Sequence, residues 1–406
     1  MVKRLAAVGA IAGSVAAIVA ATIGGTATAA TGKSALCKTA GLGFAGPLTG
    51  PASFLGTDQH HWELVFMSFW NSGKAIPGVP KTLKRVKLKD ALDGDSQLNP
   101  QAAATVAGQM VSNRSILGMV GFAGSNENLG GGPVLDRAKL AYITGSATAD
   151  QLTSKLKYFY RVVPNNSKQA NTGAGYVIGA LGIKSGDEVM VVDDGEAYGV
   201  GIADAAGKVF AGRGIKVDRE SVPESTSSAT ANFQPLAQKA VAEKVKLVYA
   251  PTQVATDSQL FAQQLKTAGY KGGFMATDGS YSSSQFNFPG AYVSFFGPPI
   301  TAVAKPFVNA FVAKYGAKAA QDPFGAPSFV SAEVLGIAIS KACAVGHGNV
   351  SRAAVAAQVA KVKLASTILG HGLAFDNAGD VSRGPARGVT VFQIQSDGSY
   401  KLVHTA

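Results

Sequence analysis

The sequence predicts an α/β protein built as two lobes, and three observations predict it. Short β-rich runs alternate with longer amphipathic runs along nearly the whole chain, the pattern of parallel sheets covered by helices. At 406 residues the chain exceeds what one hydrophobic core usually supports, so two domains are the default. Small polar residues recur just after successive strand-like runs, where open α/β sheets bind their ligands.

The N-terminus stands apart from this alternation. MVKRLAAVGAIAGSVAAIVAATIGGTATAA carries Lys3 and Arg4, then a long apolar run, then Ala27-Thr28-Ala29. That is the layout of a secretory signal peptide over residues 1–29, with the mature chain starting near Ala30. An uncleaved anchor is the alternative, because the apolar run is long enough to span; no later segment is expected to be long and apolar enough to do so. Beyond the leader the expected strands are GLGFAG (41–46), RVKLKDAL (85–92), ILGMVGF (116–122) and LAYITGS (140–146). EVMVVDD (188–194), KLVYAP (246–251), GGFMATD (272–278) and AYVSFFG (291–297) continue the series. Helical spacing places Trp62, Val65, Phe66, Phe69 and Trp70 on one face, and Phe233, Leu236, Ala237, Ala240 and Val241 on another. That spacing assigns these aromatics to the core.

Ser125 follows the third expected strand, Ser146 and Thr148 the fourth, and Asp193 to Tyr198 the fifth. Thr252 and Gln253 follow the sixth and Asp278 the seventh. Any one such residue is an ordinary helix cap. Their recurrence in both halves of the chain points to a shared cleft at helix N-termini.

Several chemistries lack their motifs. There is no phosphate loop with lysine, GEAYGVG is not a dinucleotide fingerprint, and GFAGSNENLGGG carries no lysine. HHWE (60–63) offers two potential ligands, too few for a metal, and reads as a solvent-facing helix start. No serine nucleophile elbow occurs, and none of the five histidines has triad partners. An enzyme would have to use Asp193, Asp194 and Glu196 as acid/base groups, with nothing to pair them. No metal and no cofactor is expected. The formal charge of +12, two units of it in the leader, suits retention near an anionic envelope. Nucleic acid is not an expected partner, because KTLKRVKLK (81–89) has no interleaved aromatics and reads as a solvated sheet edge. Export makes a Cys37–Cys343 disulfide the expectation, with two buried thiols as the alternative. Ser34-Ala35-Leu36 makes Cys37 a poor lipid-attachment site.

From GFAGPLTGPASFLG (43–56) onward the chain resembles a known family. The likeness runs in order through DGDSQLNPQAAATVAGQMVSN, GSNEN, LAYITGSATADQLT, YFYRVVPNN, DGEAYGVG, FMATDG and LAFDNAGD. It resembles the type I solute-binding proteins of ABC importers, in the branched-chain amino acid (Leu/Ile/Val) group. The resemblance implies two Rossmann-like lobes with parallel sheets, joined by a three-strand hinge that closes over the ligand. Residues 30–162 with 300–372 would form lobe 1, and 163–299 with 373–406 lobe 2.

The resemblance also implies a ligand set. Ser125 would hold a ligand carboxylate, with Ser146, Ala147 and Thr148 adding backbone groups and a hydroxyl. Tyr198 would come from the opposite lobe, and Asp278 replaces a glutamate that pairs with the ligand ammonium. Leu55 and Gln253 stand where the family has aromatics, which implies a roomier or more polar side-chain pocket. Glu127, a first-turn acid, is expected to cap its own helix, with a place facing the cleft as the alternative. The implied protein is a secreted or cell-envelope monomer that binds an amino acid or similar small molecule and delivers it to a membrane permease. A sensing lobe without transport is the remaining alternative, disfavoured by the lack of a second membrane segment or signalling domain after the leader.

Overall fold

The computed structural model describes residues 34–225, 230–319, 323–383 and 388–406; the expected signal peptide lies outside them. The first sheet contains β1 (Thr39–Gly46), β2 (Lys87–Asp95), β3 (Ile116–Gly121), β4 (Tyr142–Thr144) and β5 (Phe159–Arg161). Its order is β2-β1-β3-β4-β5, and every pairing is parallel. The second sheet begins with β6 (Glu188–Asp193), β7 (Lys216–Ser221), β8 (Leu247–Ala250), β9 (Gly273–Ala276) and β10 (Tyr292–Phe295). A small sheet of β11 (Lys363–Leu364), β12 (Leu373–Phe375) and β13 (Val381–Arg383) follows. The chain then returns as β14 (Thr390–Ile394) and β15 (Tyr400–Thr405) to complete the second sheet, ordered β15-β14-β10-β9-β8-β6-β7. That sheet is therefore mixed: β14 and β15 add antiparallel to a parallel array. The chain passes between the two sheets three times, after β5, after β10 and after β13.

Helices α1 (Ser53–Asn71), α2 (Pro100–Ser112), α3 (Ser125–Arg137) and α4 (Leu152–Lys155) connect the first strands. Helices α5 (Asn166–Ala180), α6 (Ala197–Ala211), α7 (Gln234–Ala242) and α8 (Ala255–Ala268) serve the second sheet. Then α9 (Lys305–Tyr315), α10 (Gly325–Val345) and α11 (Arg352–Val359) follow the second crossing. Local chemistry sets their starts. Asn99 accepts from the N–H groups of Gln101 and Ala102 at 2.9 and 3.0 Å, with Pro100 opening α2. Asn165 caps α5 through the N–H of Lys168 at 3.1 Å.

The α1 aromatics predicted for the core are buried, and Phe66 and Trp62 lie edge-on to Phe329 of α10. Gly325 permits that approach, since a Cβ there would sit 1.9 Å from the Trp62 ring. Burying each such ring contributes about 1.5–3 kcal/mol. Val241, assigned to the second apolar face, is instead exposed at the end of α7. Helix α10 corrects the expectation that no later segment could span a membrane: by length and composition it is apolar enough. It is a core helix, buried nearly throughout and packed against α1, α11 and β3. The basic run leads into β2, which is an edge strand. Cys37 and Cys343 are disulfide-bonded, tying the start of the described chain to the end of α10.

The HHWE reading is also corrected. His60 lies in the middle of α1 and is half-buried, bridging Asp93 at 3.1 Å and Asp90 at 3.4 Å. Burial alone would lower its pKa, but the two carboxylates outweigh it and push it up to about 10. Glu63 is fully buried, which drives its carboxyl well above the usual range.

Candidate functional site

The C-terminal ends of strands from both sheets face one small cavity. Leu55, Ala123, Gly124, Ser125, Ser146 and Ala147 line it from the first-sheet side. Tyr198, Gln253, Asp278 and Gly279 line it from the other, and Phe324 joins them. Seven of the eight residues expected in the site therefore meet, all but Thr148. Thr148 is buried beside them; its carbonyl accepts from the N–H of Asn166 at 2.7 Å, and its hydroxyl has no hydrogen-bond partner. The cavity offers about 20 Å³ to the centre of a water, so anything larger enters only when the walls separate.

The first wall consists of hydroxyls and a helix end. Ser125 opens α3, and its oxygen accepts from the N–H of Ala149 at 3.2 Å, leaving its proton to donate. The Ser146 hydroxyl donates to the Ala123 carbonyl at 2.7 Å and accepts from Gln59 Nε2 at 2.8 Å. The N–H groups of Ser146 and Ala147 turn to Thr144 Oγ1 at 3.2 and 2.9 Å. Glu127 does cap α3, taking the Gly124 N–H and the Ser96 hydroxyl; burial pushes its carboxyl up to about 7 against those two donors. Beneath this wall Arg161, fully buried, donates to the Ala149 carbonyl at 2.9 Å and pairs with Asp380. Asp380 sits on the segment entering the third crossing, so the wall is braced from the hinge.

The second wall is ionisable. Asp278 is 3% exposed, and Tyr198 and Gln169 donate to its Oδ1 at 2.6 and 2.5 Å. The phenol oxygen accepts in turn from the N–H of Gly279 at 3.0 Å and from the Thr277 hydroxyl at 2.7 Å. Burial pushes the Asp278 carboxyl up to about 7, the two donors holding it below where burial alone would put it. Both donors converge on Oδ1, and no side-chain donor among the described residues reaches Oδ2. Gln253 is buried with its Nε2 unsatisfied, a donor on the cavity wall without an acceptor.

The glycine-rich loop after β6 supports this wall. Asp194 is buried and accepts the N–H groups of Glu196 at 3.0 Å and Gln253 at 2.8 Å; burial raises its carboxyl to about 7. Asp193 is buried too, pairing with Arg219 and accepting from Gly195 N–H and the Ser221 hydroxyl at 2.7 Å each. Neither acid is solvent-facing, and both hold the loop's shape. Gly199 is required for that packing, because a Cβ there would lie 2.2 Å from Asp194 Oδ1.

Three residues of the site escaped sequence reasoning. Gln169 on α5 orients Asp278, Gln59 on α1 orients Ser146, and Phe324 supplies an aromatic wall where Leu55 and Gln253 do not. Thus Phe324 joins Tyr198 as an aromatic lining the pocket.

Chemically, the arrangement offers a hydroxyl at a helix N-terminus for a carboxylate, and a buried carboxylate for an ammonium. Comparison with known proteins places the chain in a family. Residues 39–399 match the family described as periplasmic binding protein. A protein of Pseudomonas aeruginosa named amino acid binding protein is 26% identical over 239 residues, 59% of this chain and 60% of that one. The chain spans about 60% of the length of the curated relatives it matches first. The leucine-binding protein LivK of Thermotoga maritima superposes with a TM-score of 0.75 at 21% identity, covering 90% of this chain and 98% of its own. The Streptococcus pneumoniae branched-chain amino acid transporter substrate-binding protein LivJ, in complex with isoleucine, gives 0.73 at 19% identity, covering 91% and 100%. At those identities the solved structures share the fold.

Proposed function

The chain belongs to the periplasmic binding protein family, and from that premise we propose that it captures an α-amino acid or a close analogue by closing its two lobes. In this reading it is the extracytoplasmic solute-binding component of an ABC importer, exported by its leader and handing the solute to a membrane permease. The observation that carries the proposal is the opposition of Ser125 at the α3 N-terminus to the Tyr198–Asp278 pair across one cavity. A zwitterionic head group bridges them, its carboxylate on the first wall and its ammonium on Asp278. At an effective dielectric near 20, an ion pair about 4 Å apart is worth roughly 4 kcal/mol before desolvation. A ligand shifts the open/closed balance only through contacts made in the closed form, and these bridging groups supply them. The relative from Pseudomonas aeruginosa and the isoleucine complex of LivJ support an amino acid as the solute class.

The test is a thermal-shift screen of the purified protein against α-amino acids and small organic acids. A solute that binds only the folded protein raises its melting temperature. Amino acids are expected to give the shifts; shifts from simple carboxylic acids alone would remove the ammonium role of Asp278.

A further inference from the structure

A second, larger space adjoins the head-group pocket. It measures about 550 Å³ by the same measure that gives the pocket about 20 Å³. Consecutive residues line the two: Ser125 lines one and Asn126 the other, and Gln253 lines one and Val254 the other. Asn126 belongs to the first wall; Asp194, Glu196 and Glu224 face it from the second. In a chain of formal charge +12, none of the residues lining this space is a lysine or arginine.

Asn126 already hydrogen-bonds the Glu196 carboxylate across this space, and two further polar atoms there are unused. Asn126 is 6% exposed and donates to the Leu98 carbonyl at 2.9 Å, while its Oδ1 accepts no hydrogen bond. Glu224 Oε2 is buried and accepts none either. The backbone beside Glu224 is fixed, since the N–H of Ser225 donates to Asp257 at 2.9 Å. Burial, then the nearby charges of Asp194, Glu196, Asp257 and Glu127, push the Glu224 carboxyl up to about 9. A buried acceptor without a donor and a carboxylate crowded by others are both relieved by one multi-donor cation. A bare metal ion fits less well: among the described residues no three of these acids bring their oxygens within 4.8 Å of one another.

We propose that this space is the side-chain subsite of the pocket, and that the solute bears a second cation, an ammonium or guanidinium, bound there by Glu224, Glu196 and Asn126. The inference rests on the head-group reading above and adds the substrate class: a basic amino acid or an analogue of it. Only one wall supplies Asn126 and only the other the two glutamates, so the side chain would also help hold the lobes closed.

Calorimetric titration of the full chain with lysine, arginine and norleucine tests it, norleucine having an uncharged side chain of lysine's carbon length. Lysine or arginine should bind more than about tenfold tighter than norleucine, as for a site built around a donor that the analogue lacks. Glu224→Gln and Glu196→Gln should each narrow that ratio, with melting curves confirming that both variants fold. Norleucine binding as tightly as lysine and arginine overturns the cationic subsite while leaving the head-group reading intact. Binding by no α-amino acid overturns both.

Discussion

The two walls of the head-group pocket solve opposite problems with different materials. The first presents neutral groups: a serine hydroxyl, a helix N-terminus, and backbone held by Thr144 and Arg161. Its polar atoms are largely satisfied by neighbours, so a ligand carboxylate there competes with existing bonds. The second presents one buried carboxyl, Asp278, whose donors Tyr198 and Gln169 occupy a single oxygen. Burying that group is unfavourable, and in the proposed reading a ligand ammonium offsets the cost. The difference teaches that binding energy should be concentrated on the second wall and spread thinly over the first.

Substitutions can break that asymmetry. Asp278→Ala should have the largest effect, since removing one partner of a buried ion pair costs about 3–5 kcal/mol. Calorimetry should show the loss as a fall of more than about a hundredfold in affinity for any ammonium-bearing solute. Tyr198→Phe removes a hydrogen bond to the same carboxylate and should cost about 1.5–3 kcal/mol. A larger loss in Ser125→Ala than in Tyr198→Phe would invert the comparison.

The pH dependence sharpens it. Asp278 is raised to about 7 from an unfolded value of about 3.9. Between those values the folded protein keeps a proton that the unfolded chain has lost, so the group lowers stability as pH climbs through that window. The ammonium prefers the ionised carboxylate, so affinity should rise from pH 5 to about 7 and then level off. Its slope is at most about tenfold per pH unit. A flat profile over that range would assign the ammonium elsewhere. Ser125→Ala should cost about 1 kcal/mol, because the α3 N-terminus remains. Smallest in its effect on binding, Cys37→Ser with Cys343→Ser should lower the melting temperature, at a cost of about 2–5 kcal/mol in stability. Its solute affinity should stay the same, since the bond lies away from the cavity.

Much of the fold was legible because burial on both faces writes long apolar runs. Each of the eight expected strands overlaps an observed one, and α1 shows the predicted aromatic face. β7 was missed because KVDRES is a polar sheet edge, and β5 because three residues carry no periodicity. The antiparallel return of β14 and β15 depends on pairing with distant β10, which no local pattern records.

The site divides the same way. Ser125, Tyr198 and Asp278 follow strands within motifs, so they could be read in order. Gln169 could not, lying in the first turn of α5 and 109 residues before the carboxylate it orients. The burial of Asp193 and Asp194 leaves no local signal, because their partners Arg219, Ser221 and Gln253 come from other strands and loops. Phe324 gives its ring to the pocket from the start of a core helix, where sequence suggests only packing.

The central claim is that Asp278 recognises an α-ammonium across from Ser125. Its most direct test is a calorimetric titration of wild type and Asp278→Asn with two ligands. One is whichever α-amino acid shifts the melting temperature most, and the other is the same compound without its α-amine. Wild type should prefer the amine-bearing ligand by more than about a hundredfold, and the variant should lose most of that preference. Equal affinity of wild type for both ligands would contradict the account.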